Sequence, residues 1–205
     1  MYKTVSGLAA ILLIAFCVRY LDVRLAYAIL EFTGRDFQFS HHLSSLPDML
    51  LLTVIAVSAF SWAGHFLLSR KGISDRRTFL FQVLGTSLPV AYAAKELLKW
   101  LFGRVNTRFW LTDPHAYAFH WLHGGQGFQG FPSGHMLVLT PLFLALWNFS
   151  PRIRPFALTM WIGLAAALMI TEYHFLGDVL AGGYAGFLIH DATRRHFERQ
   201  LIRRP

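Results

Sequence analysis

Residues 131–149 of this chain read FPSGHMLVLTPLFLALWNF, a polar Pro-Ser-Gly-His motif at the start of a long apolar run. The motif predicts a helix N-terminus, whose unpaired N–H groups and partial positive charge suit an anion such as phosphate. Ser133 can cap that helix, Gly134 lets a ligand approach the backbone, and His135 adds a group that titrates near neutral pH. A polar helix cap at a membrane surface would have the same sequence, so the rest of the chain must decide between the two interpretations.

The composition is that of a membrane protein. Of 205 residues, 55% are hydrophobic and 15% are charged, whereas a soluble domain is about 25% charged. The net charge of +8 could suggest nucleic acid, but the Lys and Arg residues form short clusters between apolar runs, as in cytoplasmic loops. We therefore expect no nucleic-acid partner. The single Cys17 excludes a disulfide within the chain, and the length predicts one domain, residues 1–205.

Apolar runs divide the chain into segments close to the roughly 20 residues that cross a bilayer. The first run predicts a retained helix rather than a cleaved signal peptide, because no small-residue cleavage site follows it. Residues 21–46 predict an interfacial helix and a loop, and Gly85 and Pro89 predict a kink in the third run. The expected fold is all-α, a polytopic membrane bundle of about six transmembrane helices. The runs cover residues 4–20, 47–68, 78–102, 133–149, 156–171 and 175–189.

The basic residues predict the orientation of these spans. An even number of spans places both termini on one side, together with the loops at 70–77 and 152–154 and the Arg-rich tail, which hold most of the Lys and Arg. The positive-inside rule assigns that side to the cytoplasm. Loop 103–132 and turn 171–175 then face outward. We expect an integral protein of a bacterial inner membrane, with its polar motifs on the outer face.

Four basic residues collect where the third run ends. Lys95 and Lys99 share a helix face because they are four residues apart, and Arg104 and Arg108 follow in the loop. Long basic side chains at a helix end can simply snorkel to the interface. Four of them on the outer face oppose the positive-inside bias, however, and this favours an anion site.

The loop before the motif is rich in Gly and His. His115, His120 and His123 could bind a metal, but no Cys or paired carboxylate accompanies them. We favour a lid held by interfacial aromatic residues and expect no metal. The aromatic candidates are Trp110, Phe119, Trp121 and Phe128.

The third polar group is at residues 172–178, EYHFLGD. His174 and Asp178 are four residues apart, so the carboxylate can reach the ring on one helix face. A carboxylate that holds one ring nitrogen leaves the other as a base or nucleophile. The alternative is a helix-terminal His–Asp contact without catalysis, but an Asp inside a membrane helix is costly and is by default a functional candidate.

A basic helix end, Pro-Ser-Gly-His and His-x3-Asp, in that order on one membrane face, resemble the type 2 phosphatidic acid phosphatase superfamily, which also includes the vanadium haloperoxidases. The resemblance covers residues 95–182. It implies that His174 attacks phosphorus and carries a phosphohistidine, that Asp178 orients His174, and that His135 protonates the leaving oxygen and then activates water. The phosphate ligands that it implies are Ser133, Gly134, Lys99 and Arg104. The resemblance implies no metal or other cofactor, because cationic side chains neutralise the phosphate.

Two positions depart from the family pattern. The Arg-Pro expected after Lys99 is Asn106-Thr107, so Arg104 or Arg108 must substitute, and the family variant with Gly-Arg soon after the Lys favours Arg104. The Ser-Arg expected before His174 is Ala167-Leu168, which removes one phosphate-binding Arg. Arg108 could fill that gap, and Glu172 could mark a divergent substrate group.

The expected function is a membrane lipid phosphatase that hydrolyses a phosphate mono- or diphosphate ester of a lipid headgroup at the outer face. The first alternative is a phosphotransferase, in which a second lipid accepts the phosphoryl group from His174. The second alternative is a lipid- or anion-binding membrane protein without catalysis, which the missing Arg would favour. Haloperoxidase chemistry fits less well because the loops are short.

Overall fold

The computed structural model describes residues 2–34, 46–125 and 127–202, and within these ranges every regular element is helical. This confirms the all-α class. One isolated antiparallel bridge joins Arg104 to Phe119. The helices are α1 (Tyr2–Phe16), α2 (Asp22–Thr33), α3 (Leu46–Arg70), α4 (Arg76–Phe102), α5 (Thr107–Thr112), α6 (Gly134–Phe149), α7 (Arg154–Ile170) and α8 (Leu176–Ile202).

The N-terminal segment is longer than the predicted first span. A π-helical turn, Cys17–Leu21, joins α1 to α2, so helical backbone runs from Tyr2 to Thr33. Such turns are often found at functional sites, and here Cys17 and Asp22 are both buried beside it. The predicted interfacial helix corresponds to α2. The loop predicted after it lies mostly at 35–45, outside the described residues.

Helix α4 runs without a break through Gly85 and Pro89, and the kink predicted there stays a prediction. Pro89 has no N–H to donate to the Gly85 carbonyl four residues earlier. The indole N–H of Trp62 on α3 donates to that carbonyl at 3.1 Å instead. The Asp75 side chain accepts from the N–H groups of Arg77 and Thr78 at the start of α4, and Gly103 ends the helix in the left-handed conformation.

Small residues bring α8 close to α6. A Cβ on Gly182 would lie 2.4 Å from the Ser133 carbonyl oxygen, and a Cβ on Gly186 would lie 2.5 Å from the Leu137 carbonyl oxygen. Glycines four residues apart on one face allow helix backbones to approach each other in this way. The consequence is that the start of α6 lies directly against the first turns of α8. Helix α8 also continues to Ile202, beyond the predicted end of the sixth run at 189.

Among the described residues, two helical segments are long and apolar enough to cross a membrane, Met49–Arg70 and Pro151–Ile170. Helix α6 is apolar but shorter. Large apolar side chains are exposed on the outside of the bundle, among them Leu12 (60%), Leu52 (65%) and Ile162 (53%). These features agree with membrane association, and the layout of six spans stays a prediction.

Candidate active site

The three predicted polar groups meet at one end of the bundle, where α4 ends and α6 and α8 begin. The Ser133 N–H donates to the Asp178 carbonyl at 2.9 Å, which joins the Pro-Ser-Gly-His segment to α8. A Cβ on Gly134 would lie 3.3 Å from Lys99 Nζ, so the end of α4 lies close to the start of α6. Residues more than seventy positions apart in the chain thus form one site.

Gly134 makes room for two lysines. A Cβ there would lie only 2.8 Å from Lys95 Cδ, closer than such atoms normally approach. Lys95 is buried, with its Nζ 2.7 Å from a Glu96 carboxylate oxygen and 4.0 Å from the centre of the Tyr92 ring. The shared helix face of Lys95 and Lys99 was visible in the sequence, but its contact with Gly134 was not. Lys95 is therefore an additional candidate phosphate ligand.

Ser133 is at the N-cap position of α6, but its hydroxyl makes no capping hydrogen bond. The predicted capping role of this side chain is therefore wrong. The Ser133 Oγ is buried without a hydrogen-bond partner among the described residues. A buried hydroxyl of this kind is available for a ligand oxygen. His135 follows in the first turn of α6 and is half-buried.

His174 and Asp178 lie together, as their spacing predicted. His174 Nδ1 is 3.8 Å from Asp178 Oδ2, which is longer than a hydrogen bond, and Nδ1 is buried without another partner in the described structure. Catalytic hydrogen bonds in unliganded sites are often long and tighten with substrate. The carboxylate itself is fixed, because its Oδ2 accepts from the Phe175 N–H at 3.0 Å.

Arg104 is held between two carboxylates instead of projecting into an open phosphate site. Its Nη1 is 2.5 Å from Asp178 Oδ1, and its Nη2 is 2.8 Å from Asp22 Oδ2. The side chain is 1% exposed. Burial by itself would lower the pKa of Arg104, but the carboxylates of Asp178 and Asp22 raise it, so the guanidinium stays charged. Its position is that of a residue that fixes Asp178.

Asp22 and Tyr117 complete this network, and the sequence reasoning did not single out either residue. Asp22 Oδ1 accepts from the Gly177 N–H at 2.7 Å. The Tyr117 hydroxyl accepts from Arg104 Nη2 at 2.6 Å and donates to the Val18 carbonyl at 2.6 Å. Burial raises the pKa of Tyr117 to about 12, so the hydroxyl keeps the proton that it donates. The only sequence signal for Asp22 was a carboxylate next to an apolar run.

Arg108 connects the loop to the turn before α8. Its Nε and Nη2 donate to the Thr171 carbonyl at 3.3 and 3.0 Å, and its guanidinium lies 4.0 Å from the centre of the Tyr173 ring. Neither contact carries a formal negative charge. Glu172 is nearby, and burial raises the pKa of its carboxyl against the opposing effect of Arg108. Arg108 thus contacts the residue that directly precedes His174.

The Gly- and His-rich loop packs as an aromatic cluster. The Phe131 ring centre is 4.9 Å from that of Phe102 and 5.3 Å from that of Phe119. His120 and His123 both contact the Phe128 ring, each at 4.9 Å between ring centres. No group of three or more potential metal ligands occurs within the described ranges. The loop packs at the C-terminal end of α4 and the N-terminal start of α6.

The comparison with protein families identifies this chain. The PAP2 superfamily profile matches residues 79–201, more than half of the 205 residues and all three polar groups of the site. The chain therefore belongs to the PAP2 superfamily, and this membership points to phosphatase activity in general. Comparisons with curated proteins and with solved structures returned no match.

Proposed function

We propose that this protein is a membrane-embedded lipid phosphatase whose active site is the meeting point of α4, α6 and α8. The observation that carries the proposal is the convergence of two lysines, an unpaired hydroxyl and a His–Asp pair at one end of the bundle. Lys99 lies beside Gly134, whose neighbour Ser133 donates its N–H to Asp178. A phosphoryl group needs this combination of fixed donors, a nucleophile and an acid.

The proposed reaction has two steps. His174 Nε2 attacks phosphorus, the P–N bond forms as the P–O bond to the leaving group breaks, and His135 gives its proton to the leaving oxygen. His135 then takes a proton from water, whose oxygen attacks phosphorus and breaks the P–N bond to release phosphate. Asp178 faces His174 Nδ1 at 3.8 Å and is itself held by Arg104, so the ring presents its other nitrogen to the substrate.

Charge on the phosphate oxygens is neutralised by side chains in this proposal. Lys95 and Lys99 flank Gly134, and the Ser133 hydroxyl and the backbone N–H groups at the start of α6 add hydrogen bonds. Arg108 takes the place of the Arg that Leu168 replaces, since its partners are a carbonyl and an aromatic ring. Arg104 acts through Asp178 and not on phosphate.

A lipid substrate is favoured by the surroundings of the site. The bundle that carries it exposes large apolar side chains, and two of its helices are long and apolar enough to cross a bilayer. A phosphate held at one end of such helices lies at the level of lipid headgroups. We place this end at the outer face because the other end, with the loops at 70–77 and 152–154 and the end of α8, holds most of the Lys and Arg residues.

The test is phosphate release from a panel of lipid phosphates and diphosphates by the full chain in detergent. We expect wild-type turnover, a loss of about a thousandfold or more in His174→Ala, and a loss of about a hundredfold or more in His135→Ala. His196→Ala, an exposed histidine of α8 outside the site, is the matched control and should retain wild-type activity. Equal rates for all four proteins would refute the assignment. Phosphate found on an acceptor lipid with little free phosphate would indicate transfer instead of hydrolysis.

A further inference from the structure

A second polar cavity lies at the other end of the bundle. It has a volume of about 250 Å³ and is lined by the first turns of α4, the last turns of α6 and the C-terminal half of α8. Asp178 and His190 are twelve residues apart on α8, so the cavity lies about 18 Å along the helix from the candidate active site. Phe79, Leu80, Val83 and Phe149 form apolar parts of its wall.

His190 lines this cavity and is itself buried. The side chain is 4% exposed, and its Nε2 is 3.0 Å from the Asn148 amide nitrogen. An amide nitrogen only donates, so Nε2 accepts and the ring proton is on Nδ1. His190 Nδ1 is buried and has no hydrogen-bond partner in the part of the chain that the structure describes. A buried donor without an acceptor is destabilising, so an acceptor is expected here.

Two arginines add positive charge beside His190. Arg194 is four residues later on the same face of α8, and its Nε forms an ion pair with a Glu198 carboxylate oxygen at 3.0 Å. Arg76, which is exposed at the start of α4, lines the cavity from the opposite wall. Donors on two helices therefore face one space that is partly polar and partly apolar.

We propose that this cavity is a binding site for a phosphoryl group, separate from the site at His174. A tetrahedral oxyanion offers several acceptors in different directions and can accept from His190 Nδ1, Arg194 and Arg76 together, and Arg is the preferred partner of phosphate. Glu198 competes with the anion for Arg194 and so limits its affinity. The ligand is either inorganic phosphate or the phosphorylated headgroup of a lipid whose chains lie along the apolar wall.

The experiment is equilibrium dialysis of ³²P-labelled inorganic phosphate against the full chain in detergent. Wild type should show two sites per chain, Arg76→Gln/Arg194→Gln should lose the second one, and Lys99→Gln should lose only the candidate active-site one. Removal of two charged donors should weaken binding at the cavity by about a hundredfold. Glu198→Gln removes the ion-pair partner of Arg194 and should strengthen phosphate binding at the cavity by about threefold to tenfold.

The matched control is Arg77→Gln/Arg195→Gln, which removes the same charge from neighbouring positions that do not line the cavity. It should bind phosphate like wild type. The proposal would be overturned if Arg76→Gln/Arg194→Gln bound phosphate like wild type. It would also be overturned if both double variants lost phosphate affinity to the same extent. If wild type binds one phosphate and Arg76→Gln/Arg194→Gln binds none, this cavity is supported and the phosphate site of the proposed function is contradicted. If the one wild-type site is instead lost in Lys99→Gln, the proposed active site is supported and this cavity is contradicted.

A second arm distinguishes the two sources of the phosphoryl group. The probe is the phosphonate analogue of dihexanoyl phosphatidic acid, with dihexanoylglycerol as the control that lacks the anion. Binding in the cavity that is about tenfold tighter than that of inorganic phosphate would identify a lipid headgroup, and equal binding would identify free phosphate. Binding of dihexanoylglycerol as tight as that of the phosphonate would contradict a phosphoryl site.

Discussion

At the scale of single residues, the feature that most shapes the site is the buried ion-pair network around Arg104. Asp22 and Asp178 both bind its guanidinium, and Asp22 also accepts from the Gly177 N–H at the start of α8. Removing one partner of a buried ion pair leaves the other charge buried and uncompensated. The position of each side chain in the network therefore depends on the other two. Through Arg104, Asp22 links the N-terminal helix to the Asp178 carboxylate, although Asp22 lies outside the family match.

We predict that Asp22→Asn lowers kcat and leaves KM nearly unchanged. The amide keeps the shape and the contact with Gly177 but weakens the hold on Arg104, and hence on Asp178, without touching the substrate. Loss of one charge-assisted hydrogen bond, about 1.5–3 kcal/mol, corresponds to about a tenfold to hundredfold lower kcat. Glu31→Gln, at an exposed carboxylate of the same helix, should behave like wild type. Steady-state kinetics on the best lipid phosphate measures both variants; a raised KM with normal kcat would place Asp22 at the substrate instead.

At the scale of helices, the close packing of α8 on α6 brings the site together. Gly182 lies against the Ser133 carbonyl, and the Ser133 N–H binds the Asp178 carbonyl one helical turn away. The contact aligns the start of α8, just after His174, with the start of α6, where we propose that phosphate binds. A larger residue at Gly182 would push these two ends apart.

Gly182→Ala should therefore lower both stability and activity. Its Cβ would lie 2.4 Å from a backbone oxygen that cannot rotate away, and overpacking of this kind costs about 1–3 kcal/mol. Gly163→Ala in α7 is the matched control, because nothing lies within 4 Å of a Cβ there; it should be neutral or stabilising by up to about 1 kcal/mol. Thermal unfolding in detergent and phosphate release measure the two effects. Equal melting temperatures for the two variants would contradict the packing argument.

The helices and the site were predictable from the sequence to different extents. The apolar runs at 47–68, 78–102, 133–149 and 156–171 correspond closely to α3, α4, α6 and α7, because a hydrophobic period is a local property. The continuation of α8 to Ile202 was missed because its basic residues were interpreted as a tail. Arg104 was predicted as a phosphate ligand from its charge and its position in the motif. The sequence does not show which side chains the guanidinium binds in the fold. The partner Asp22 lies more than eighty residues earlier, and only the folded chain brings it to Arg104.

At the scale of the whole molecule, the candidate active site and the second cavity occupy opposite ends of one helical bundle. The second cavity is near the loop at 70–77 and the basic end of α8, and the first is near loop 103–132. If the spans follow the positive-inside rule, the first end faces outward and the second faces the cytoplasm. Each end then meets a different leaflet.

Cysteine labelling tests this orientation. In a Cys17→Ser background, Trp121→Cys should react with a membrane-impermeant maleimide in intact cells of the expression host, and Ile73→Cys should react only after permeabilisation. Both native side chains are accessible in the fold, at 62% and 38% exposure, and Cys17 is buried. Equal labelling of both positions in intact cells would contradict the predicted topology.

We propose that His174 carries the phosphoryl group during turnover, and trapping the phosphorylated protein shows which residue carries it. The full chain is mixed with a ³²P-labelled lipid phosphate, quenched in base, in which phosphohistidine is stable, and the labelled peptide is mapped by mass spectrometry. We expect label on His174, no label in His174→Ala, and undiminished label in the His196→Ala control. Full turnover by His174→Ala, or label on a different residue, would contradict it.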